Sequence, residues 1–387
     1  MGNKRSNNWR VGRLQEIAYV VMGQSPPGSS YNTEGKGVGL INGPTEFTKK
    51  HPVVKQWTVE PKKYCENRDV LLCVRGSSTG RINISDSKYC IGRGVAAISA
   101  RENMGVTDYI YYLIDHKVNN LLNCTTGSTF PNLSSAEIKG FEIKIPSLPE
   151  QQKIASILST WDKAIQLKEK LIQQKKEQKK GLMQKLLTGE KRLPGFEGEW
   201  EEVKLGEVIK ESKDKTLKHN QYPVLTSSRK GIYLQDKYFS KQVASRNNTG
   251  YKIIKEGEFT YRTMSDDGKF VFNRLADVPV GIVSPAYVVF RAVEMEPVFL
   301  EEFLNSHQFN RYIRANVQGG TRLSYKYKSL SETIVKIPSK DEQKAIADII
   351  LQSNKEIKLL QQELEQLKQQ KKGLMQLLLT GKVRVKV

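Results

Sequence analysis

Two segments of the chain repeat one pattern of apolar and polar positions. In the second, residues on one face recur at alternating steps of four and three: Ile346, Ile350, Ser353, Ile357, Leu360, Leu364, Leu367, Lys371, Leu374 and Leu378. Moving back by 192 positions gives the first set: Ile154, Leu158, Trp161, Ile165, Lys168, Ile172, Lys175, Lys179, Leu182 and Leu186. A spacing that averages 3.5 residues predicts a long helix that packs along one face, here twice in the same register.

Both predicted helices have matching start and stop signals. Ser147 and Ser339 each precede a glutamate by three residues, which predicts a capping box with Glu150 and Glu342. Thr-Gly at 188–189 and at 380–381 predicts the two ends. Within the helices, Gly181 and Gly373 predict close approach of another backbone.

The repeat extends over almost the whole chain. "KIPSLPEQQKIASIL" at 144–158 corresponds to "KIPSKDEQKAIADII" at 336–350, and "WRVGRLQEI" at 9–17 corresponds to "WEEVKLGEV" at 200–208. Two half-units of about 190 residues follow, each with a variable body before its helix. If a pseudo-two-fold axis relates them, the helices run antiparallel and a span of about 48 Å from Ile154 to Leu186 separates the bodies.

The bodies mix strand-like segments with polar, basic loops. Strands are predicted from "DVLLCVRG" (69–76), "GVAAISA" (94–100), "YPVLTSS" (222–228), "KFVFNRL" (269–275) and "GIVSPAYVVFR" (281–291). The predicted fold is α+β, with two mixed α/β bodies separated by two long helices that form an antiparallel coiled coil. The predicted segments are a body at 1–147, a helix at 148–190, a second body at 191–339 and a second helix at 340–387.

Composition points to an anionic polymer as the partner. The formal net charge is +21, and such self-repulsion favours a nucleic-acid binder over an acidic protein partner. No run of about 18 apolar residues indicates a membrane span, and the basic start lacks the apolar stretch of a signal peptide, so a cytoplasmic protein is expected. The spacing of the four cysteines and four histidines suggests no metal site, and buried reduced thiols are expected.

Signals for catalysis or cofactor binding are incomplete. "SPPG" (25–28) lacks the aromatic residue of an amino-methylating motif, and "SPAY" (284–287) lacks its second proline. "GSSTGR" (76–81) lacks the Lys-Ser/Thr of a phosphate loop. We therefore expect no catalytic centre, cofactor or metal in this chain.

The duplicated Ile-Pro-x-x-x-Glu-Gln-x-x-Ile-Ala and Gly-Leu-Met-Gln-x-Leu-Leu-Thr-Gly blocks resemble those of the specificity (S) subunit of Type I restriction-modification systems. The resemblance implies two target recognition domains, each of which reads one part of a split, asymmetric double-stranded DNA target. It implies a coiled coil that sets the spacer and docks two methyltransferase (M) subunits. These use S-adenosylmethionine to methylate adenine N6, and restriction (R) subunits use ATP and Mg to translocate and cleave DNA.

By this resemblance, polar loop residues of the bodies are the candidate DNA contacts, since Arg, Asn, Gln, Ser and Thr supply donors and acceptors for base edges and phosphates. In the first half these are Gln24, Ser25, Tyr31, Asn32, Arg75, Ser77, Ser78, Arg81, Arg93, Thr129 and Asn132. In the second half they are Ser227, Ser228, Arg229, Lys230, Arg262, Thr263, Ser265, Thr321, Arg322, Tyr325 and Lys326. The helix lysines are the expected M-subunit contacts.

Two other functions remain open at this point. A stand-alone coiled-coil protein that bridges DNA or acts as a regulatory factor would need no methyltransferase partner. A self-sufficient methyltransferase or nuclease would bind its own cofactor, which the incomplete motifs disfavour.

Overall fold

The computed structural model describes residues 9–123, 132–239, 247–317 and 323–387. The chain forms two compact units. The first combines Met1–Glu169 with Gln362–Val387, and the second comprises Lys170–Gln361. Each unit therefore contains one body and a segment of both long helices. The finer division into four segments at 147, 190 and 339 stays a prediction.

The first unit is built from eleven strands and three helices among its described residues, with the third helix continuing into the second unit. The strands are β1 (Arg10–Arg13), β2 (Ala18–Met22), β3 (Tyr31–Asn32), β4 (Val38–Ile41), β5 (Gln56–Thr58), β6 (Tyr64–Cys65), β7 (Val70–Cys73), β8 (Ile82–Ile84), β9 (Tyr89–Ile91), β10 (Val95–Ala100) and β11 (Glu142–Ile145). The helices are α1 (Thr107–Leu122), α2 (Ser135–Gly140) and α3 (Leu148–Leu186).

Two sheets organise the first body. One is antiparallel with the order β2-β10-β7-β8, and the other has the order β3-β5-β4-β9-β6 with β4 and β9 parallel. A short pair, β1 with β11, brings the start of the body beside its end. The fully apolar strand β7 is buried along its whole length, because α1 covers one face of its sheet and the second sheet packs on the other.

The second unit contains twelve strands and six helices among its described residues. The strands are β12 (Glu201–Lys204), β13 (Ile209–Glu211), β14 (Leu225–Ser228), β15 (Gly231–Leu234), β16 (Lys252–Lys255), β17 (Phe259–Arg262), β18 (Met264–Ser265), β19 (Asn273–Arg274), β20 (Val280–Val283), β21 (Tyr287–Ala292), β22 (Leu323–Ser324) and β23 (Ile334–Ile337). The helices are α4 (Leu205–Val208), α5 (Gln235–Tyr238), α6 (Pro297–Leu304), α7 (His307–Asn316), α8 (Tyr327–Glu332) and α9 (Lys340–Leu378).

The second body shares a four-stranded sheet and a terminal strand pair with the first, around a more aromatic core, and has the two-stranded sheets β14-β15, β16-β20 and β18-β22 in place of the five-stranded sheet. Its antiparallel sheet has the order β13-β21-β17-β19, and β12 pairs with β23 as β1 pairs with β11. Phe259, Tyr261, Phe272 and Phe290 are fully buried and in mutual ring contact. Two predictions change here. The segment 269–275 contributes only the two-residue strand β19, and 281–291 is divided into β20 and β21 by a turn at Ser284–Ala286.

The predicted packing face of both long helices is confirmed. All twenty positions of the two heptad sets are buried or half-buried, including the lysines, while their neighbours along the helix are largely exposed. The fully buried Ile154 and Ile346 occupy equivalent positions in the two units. Each helix therefore gains its stability from packing along one stripe rather than from propensity alone.

The helix segments run antiparallel within each unit. In the first unit, Lys168 contacts Glu363 at 2.8 Å and Lys371 contacts Asp162. In the second, Lys175 contacts Glu356 at 2.6 Å. As the residue number rises on one helix it falls on the partner, so the predicted antiparallel arrangement of the coiled coil is confirmed.

The ends of the helices follow their sequence signals. Gly189 and Gly381 have φ of +73° and +72°, a left-handed conformation that glycine adopts readily after the last turn. A Cβ at either position would come within 3.4 Å of a tryptophan ring, Trp200 or Trp9 respectively. The expectation for Gly181 and Gly373 is wrong, because both are exposed and, within the described part of the chain, no atom outside the helix lies within 4 Å of a Cβ built there.

A glutamate near the start of each long helix joins that helix to another part of its unit. Glu150 receives two hydrogen bonds of 2.8 Å from Arg384, and Glu342 receives bonds of 2.7 and 2.6 Å from Arg192. Both carboxylates are buried. Their main partners are therefore these arginines. The capping serines contribute long contacts of 3.4 Å, from Ser147 Oγ to the Glu150 carboxylate and from the Glu342 backbone N–H to the Ser339 hydroxyl.

Candidate DNA interface

In the first unit, hydrogen bonds bring three of the predicted loops together at one end of the β2-β10-β7-β8 sheet. The Val74 N–H donates to the Gly94 carbonyl at 2.9 Å, and the Leu133 N–H donates to the Val74 carbonyl at 2.9 Å. The Arg93 N–H donates to Ser25 Oγ at 3.2 Å. Because these bonds tie neighbouring backbone, Ser25, Arg75, Arg93 and Asn132 lie on adjacent loops.

Exposure within this set separates surface groups from structural ones. Gln24, Arg75, Ser77, Arg81, Arg93 and Asn132 are exposed, whereas Ser25, Tyr31, Asn32 and Ser78 are half-buried. The Asn32 amide donates to the Lys36 carbonyl at 2.8 Å, and its oxygen accepts from the Glu34 and Lys36 N–H groups. Asn32 therefore organises its own turn, an Asx-type role, and has less capacity left for a base.

In the second unit, five of the eleven predicted residues line one cavity of about 180 Å³. Its lining includes these five together with five residues that the sequence did not single out. The predicted ones are Ser227, Ser228, Arg229, Arg262 and Ser265, and the others are Met264, Asp266, Lys269, Phe270 and Val271. The cavity opens between the β14–β15 turn and the segment that follows β17, so two loops distant in sequence form one surface.

One buried side-chain amide, that of Asn273, holds the β14–β15 turn. Asn273 Nδ2 donates to Ser227 Oγ at 2.7 Å and to the Ser228 carbonyl at 2.8 Å. Ser228 Oγ in turn donates to the Gly231 carbonyl and accepts from the Lys230 N–H. Gly231 has φ +127°, which favours glycine at this turn. Arg229 and Lys230 are exposed at the tip of a turn that is fixed from below.

Two predicted contacts are corrected by burial. Tyr325 is fully buried in the aromatic core, and its hydroxyl is paired with Thr333 Oγ1 at 2.9 Å. Ser265 is 9% exposed and donates its hydroxyl to Asp267 at 2.9 Å. A buried tyrosine cannot reach DNA without unpacking the core, so Tyr325 is excluded. The Ser265 hydroxyl lines the cavity, but its proton is already donated to Asp267.

Other predicted positions have mixed environments. Arg262 and Lys326 are exposed, while Thr263 is half-buried and donates its hydroxyl to the Ala286 carbonyl at 3.0 Å. Thr129, Thr321 and Arg322 lie outside the described residues. Asp267, Lys269 and Asn273 were not among the residues predicted from the sequence. The acidic pair within the basic loop "YRTMSDDGK" was the available signal for Asp267, because a carboxylate among cations is well placed to orient them.

Three cysteines of the first body are buried, as expected from the sequence. Cys65, Cys73 and Cys90 are buried and free. Burial raises the pKa of the Cys65 and Cys73 thiols to about 12, so neither is a thiolate at neutral pH. Cys124 lies outside the described residues. In the described part of the chain, each helix lacks the combination of length and hydropathy that a bilayer span requires.

Comparison with known proteins identifies the family. The chain matches the Type I restriction modification DNA specificity domain twice, over residues 6–176 and 197–369. It is 25% identical over 410 aligned positions to the Type I restriction enzyme MjaVIII specificity subunit of Methanocaldococcus jannaschii, covering 100% of this chain and 95% of that protein. It is 34% identical to the putative MjaX specificity subunit of the same organism, over 48% of this chain and 44% of that protein.

Solved structures share the fold. The S subunit of a Type I restriction-modification system from M. genitalium aligns with a TM-score of 0.55 at 15% identity, covering 98% of both chains. A chain from a study of complex assembly in the type I R-M system aligns with a TM-score of 0.64 at 16% identity, over 97% of this chain and 98% of that one. The two family matches cover most of the sequence, and the chain belongs to the Type I restriction modification DNA specificity domain family.

Proposed function

We propose that this chain is the DNA-recognition subunit of a Type I restriction-modification complex and reads a split DNA target. The observation that carries the proposal is the double family match on two units that share a four-stranded antiparallel sheet and a terminal strand pair, each with its own polar loop surface. The two surfaces differ in sequence, so each unit would read a different half-site. The formal charge of +21 supports binding to the phosphate backbone.

The chain itself would be non-catalytic. Two M subunits would supply methyl transfer from S-adenosylmethionine to adenine N6, and R subunits would supply ATP- and Mg-dependent translocation and cleavage. The paired helices would set the distance between half-sites and dock the M subunits. In the second unit, a groove of about 400 Å³ offers a basic rim for such a contact: its lining includes Lys176, Lys180 and Arg311 above apolar Met183 and Leu187.

The DNA-contacting surface of the first unit would comprise the exposed loop residues Gln24, Arg75, Ser77, Arg81, Arg93 and Asn132. In the second unit it would comprise the cavity rim and its neighbours, Ser227, Ser228, Arg229, Lys230, Arg262 and Lys326. Arginine and lysine would supply most phosphate contacts, and only a few of these side chains would reach base edges.

Single-molecule sequencing of methylated adenines tests the proposal. DNA would be taken from cells that express this chain with its M subunit, and from cells that express the M subunit alone. A split motif methylated on both strands, present only with this chain, is the expected result. If the M subunit binds this chain and no new methylation appears, the proposal is refuted and a stand-alone DNA-bridging protein becomes the better explanation.

A further inference from the structure

An exposed ion pair lies at the rim of the second unit's cavity, on the surface to which the proposed function assigns DNA. Arg229 Nη2 donates to Asp267 Oδ1 at 2.6 Å, and the two side chains are 62% and 42% exposed. An exposed pair of this kind contributes little to stability, because water already solvates both charges. The stability of the fold therefore does not explain why an aspartate lies on this basic surface.

Asp267 is held in place by three donors. Besides Arg229, its Oδ1 accepts from Ser265 Oγ at 2.9 Å and from the Lys269 N–H at 3.2 Å. The Ser265 hydrogen bond, with help from the Lys269 N–H and the Arg229 charge, lowers the pKa of Asp267 below its ordinary value, so the group is ionised at neutral pH. All three bonds use Oδ1, which leaves Oδ2 as an acceptor.

Arg229 is fixed at its other end by the turn. The Asn273 amide ties down the backbone of Ser228 and the hydroxyl of Ser227. A guanidinium has five N–H donors, and the bond to Asp267 uses one of them. The remaining N–H groups can still donate two parallel hydrogen bonds to two acceptors in one plane. The pair therefore presents a donor fork and a carboxylate acceptor side by side, with limited freedom to rearrange.

This arrangement fits a base pair better than a phosphate. A phosphate group beside Arg229 would be repelled by the ionised Asp267. In the major groove, guanine presents two acceptors, O6 and N7, and its partner cytosine presents a donor, the N4 amino group. An A·T pair offers the guanidinium a single purine acceptor and places thymine O4, another acceptor, where cytosine has its donor.

We propose that Arg229 and Asp267 together read one G·C base pair in the half-site contacted by the second unit. Arg229 binds guanine O6 and N7, and Asp267 both orients Arg229 and accepts from cytosine N4. This inference rests on the proposed function and adds a specific element of the target sequence. The neighbouring cations Lys230, Arg262 and Lys269 then serve the flanking phosphates.

The test is selection of bound sequences from a randomised DNA duplex by the full-length chain in complex with its M subunit. Arg229→Ala and Asp267→Asn are each expected to reduce the G·C preference at one position of one half-site, by roughly 5- to 150-fold for Arg229→Ala. Arg229→Lys keeps the charge and loses the fork, so it should lose the preference while keeping most of the overall affinity. The other half-site serves as an internal folding control in every sample.

Two further variants separate reading from charge. Asp214→Asn removes the partner of Lys255 in an ion pair of 2.9 Å whose side chains are both 61% exposed, outside the candidate surface, and should leave the selected sequence unchanged. Lys230→Ala, on the same turn as Arg229, should weaken binding to all sequences and reduce the salt dependence without changing the motif.

The outcomes distinguish this inference from the function on which it rests. A split motif that keeps its G·C requirement in Arg229→Ala and Asp267→Asn overturns the inference and leaves the proposed function intact. A wild-type half-site without any fixed G·C pair does the same. If the wild-type complex selects no split sequence, the proposed function fails and the inference fails with it. Loss of one G·C position in both variants, with the other half-site unchanged, supports both.

Discussion

Removing the Arg384 side chain should destabilise the first unit, because it would leave Glu150 buried without its partner. The Glu150 side chain is 5% exposed and Arg384 is 30% exposed. Breaking a buried pair from one side costs about 3–5 kcal/mol, and partial access of water to the vacated site favours the lower end, about 3 kcal/mol. With about 195 residues in the unit and an unfolding entropy of about 2.1 cal/mol/K per residue, Arg384→Ala should lower Tm by about 7 °C.

The assay combines scanning calorimetry with hydrogen exchange, which assigns the loss to the first unit. Glu150→Gln combined with Arg384→Ala removes both charges and should recover part of the loss. Lys88→Ala is the control, since it breaks an exposed pair with Glu66 at 2.6 Å and should shift Tm by less than about 2 °C. A shift for Arg384→Ala as small as the control's, or a double variant at least as unstable as the single one, would refute the reasoning.

Further predictions concern pH, the second unit and the two helices. The Arg384 hydrogen bonds lower the pKa of Glu150 below its ordinary value of 4.5. The ion pair therefore stabilises the fold fully above pH 4.5, and this contribution is lost as the pH falls through the lowered pKa of Glu150. The Tm difference between wild type and Arg384→Ala should narrow over that acidic range. Arg192→Ala should weaken the second unit by a similar amount, and equal exchange rates in wild type and variant would contradict this. Residues 1–190 should dimerise through the shared packing face, and a monomer at micromolar concentration in sedimentation would contradict this. Extension to residue 199 supplies Arg192 to the partner's Glu150 and should tighten the dimer about tenfold or more. Four residues inserted in both helices, near Gln173 and near Lys358, should lengthen the DNA spacer by about 6 Å, or about two base pairs, with both half-sequences unchanged.

The helices were the most predictable part of the fold. Their packing face depends on local periodicity. All twenty predicted heptad positions, ten in each helix, are buried or half-buried. Periodicity fails for single residues whose role depends on distant partners. Glu150 has the spacing of a capping residue, yet its arginine partner is 234 positions away in sequence, and no local pattern indicates that contact.

The candidate surfaces were predictable as loops and not as side chains. The residue types of "SSRKG" (227–231) and "YRTMSDDGK" (261–269) indicated two polar loops, and the structure brings these loops together at one cavity. Composition could not show that Tyr325 turns into the aromatic core while Arg229 turns outward. It also could not show that Asn273, in a short strand, supports the turn from below, because that contact forms only when the sheet has folded.

The contacts of the two tryptophans beside the helix ends bear on circular permutation of the chain. In the second unit, Gly189 and Trp200 are joined by a short stretch of chain and lie in contact. In the first unit, Gly381 and Trp9 make the equivalent contact, with Arg384 over the Trp9 ring at 5.6 Å as Arg192 is over Trp200 at 5.9 Å. Each unit therefore packs the end of a long helix against the start of its body, through continuous chain in the second unit and between segments distant in sequence in the first. A gene opened between Gly189 and Trp200, and joined between Gly381 and Trp9, would encode the same contacts in a different order.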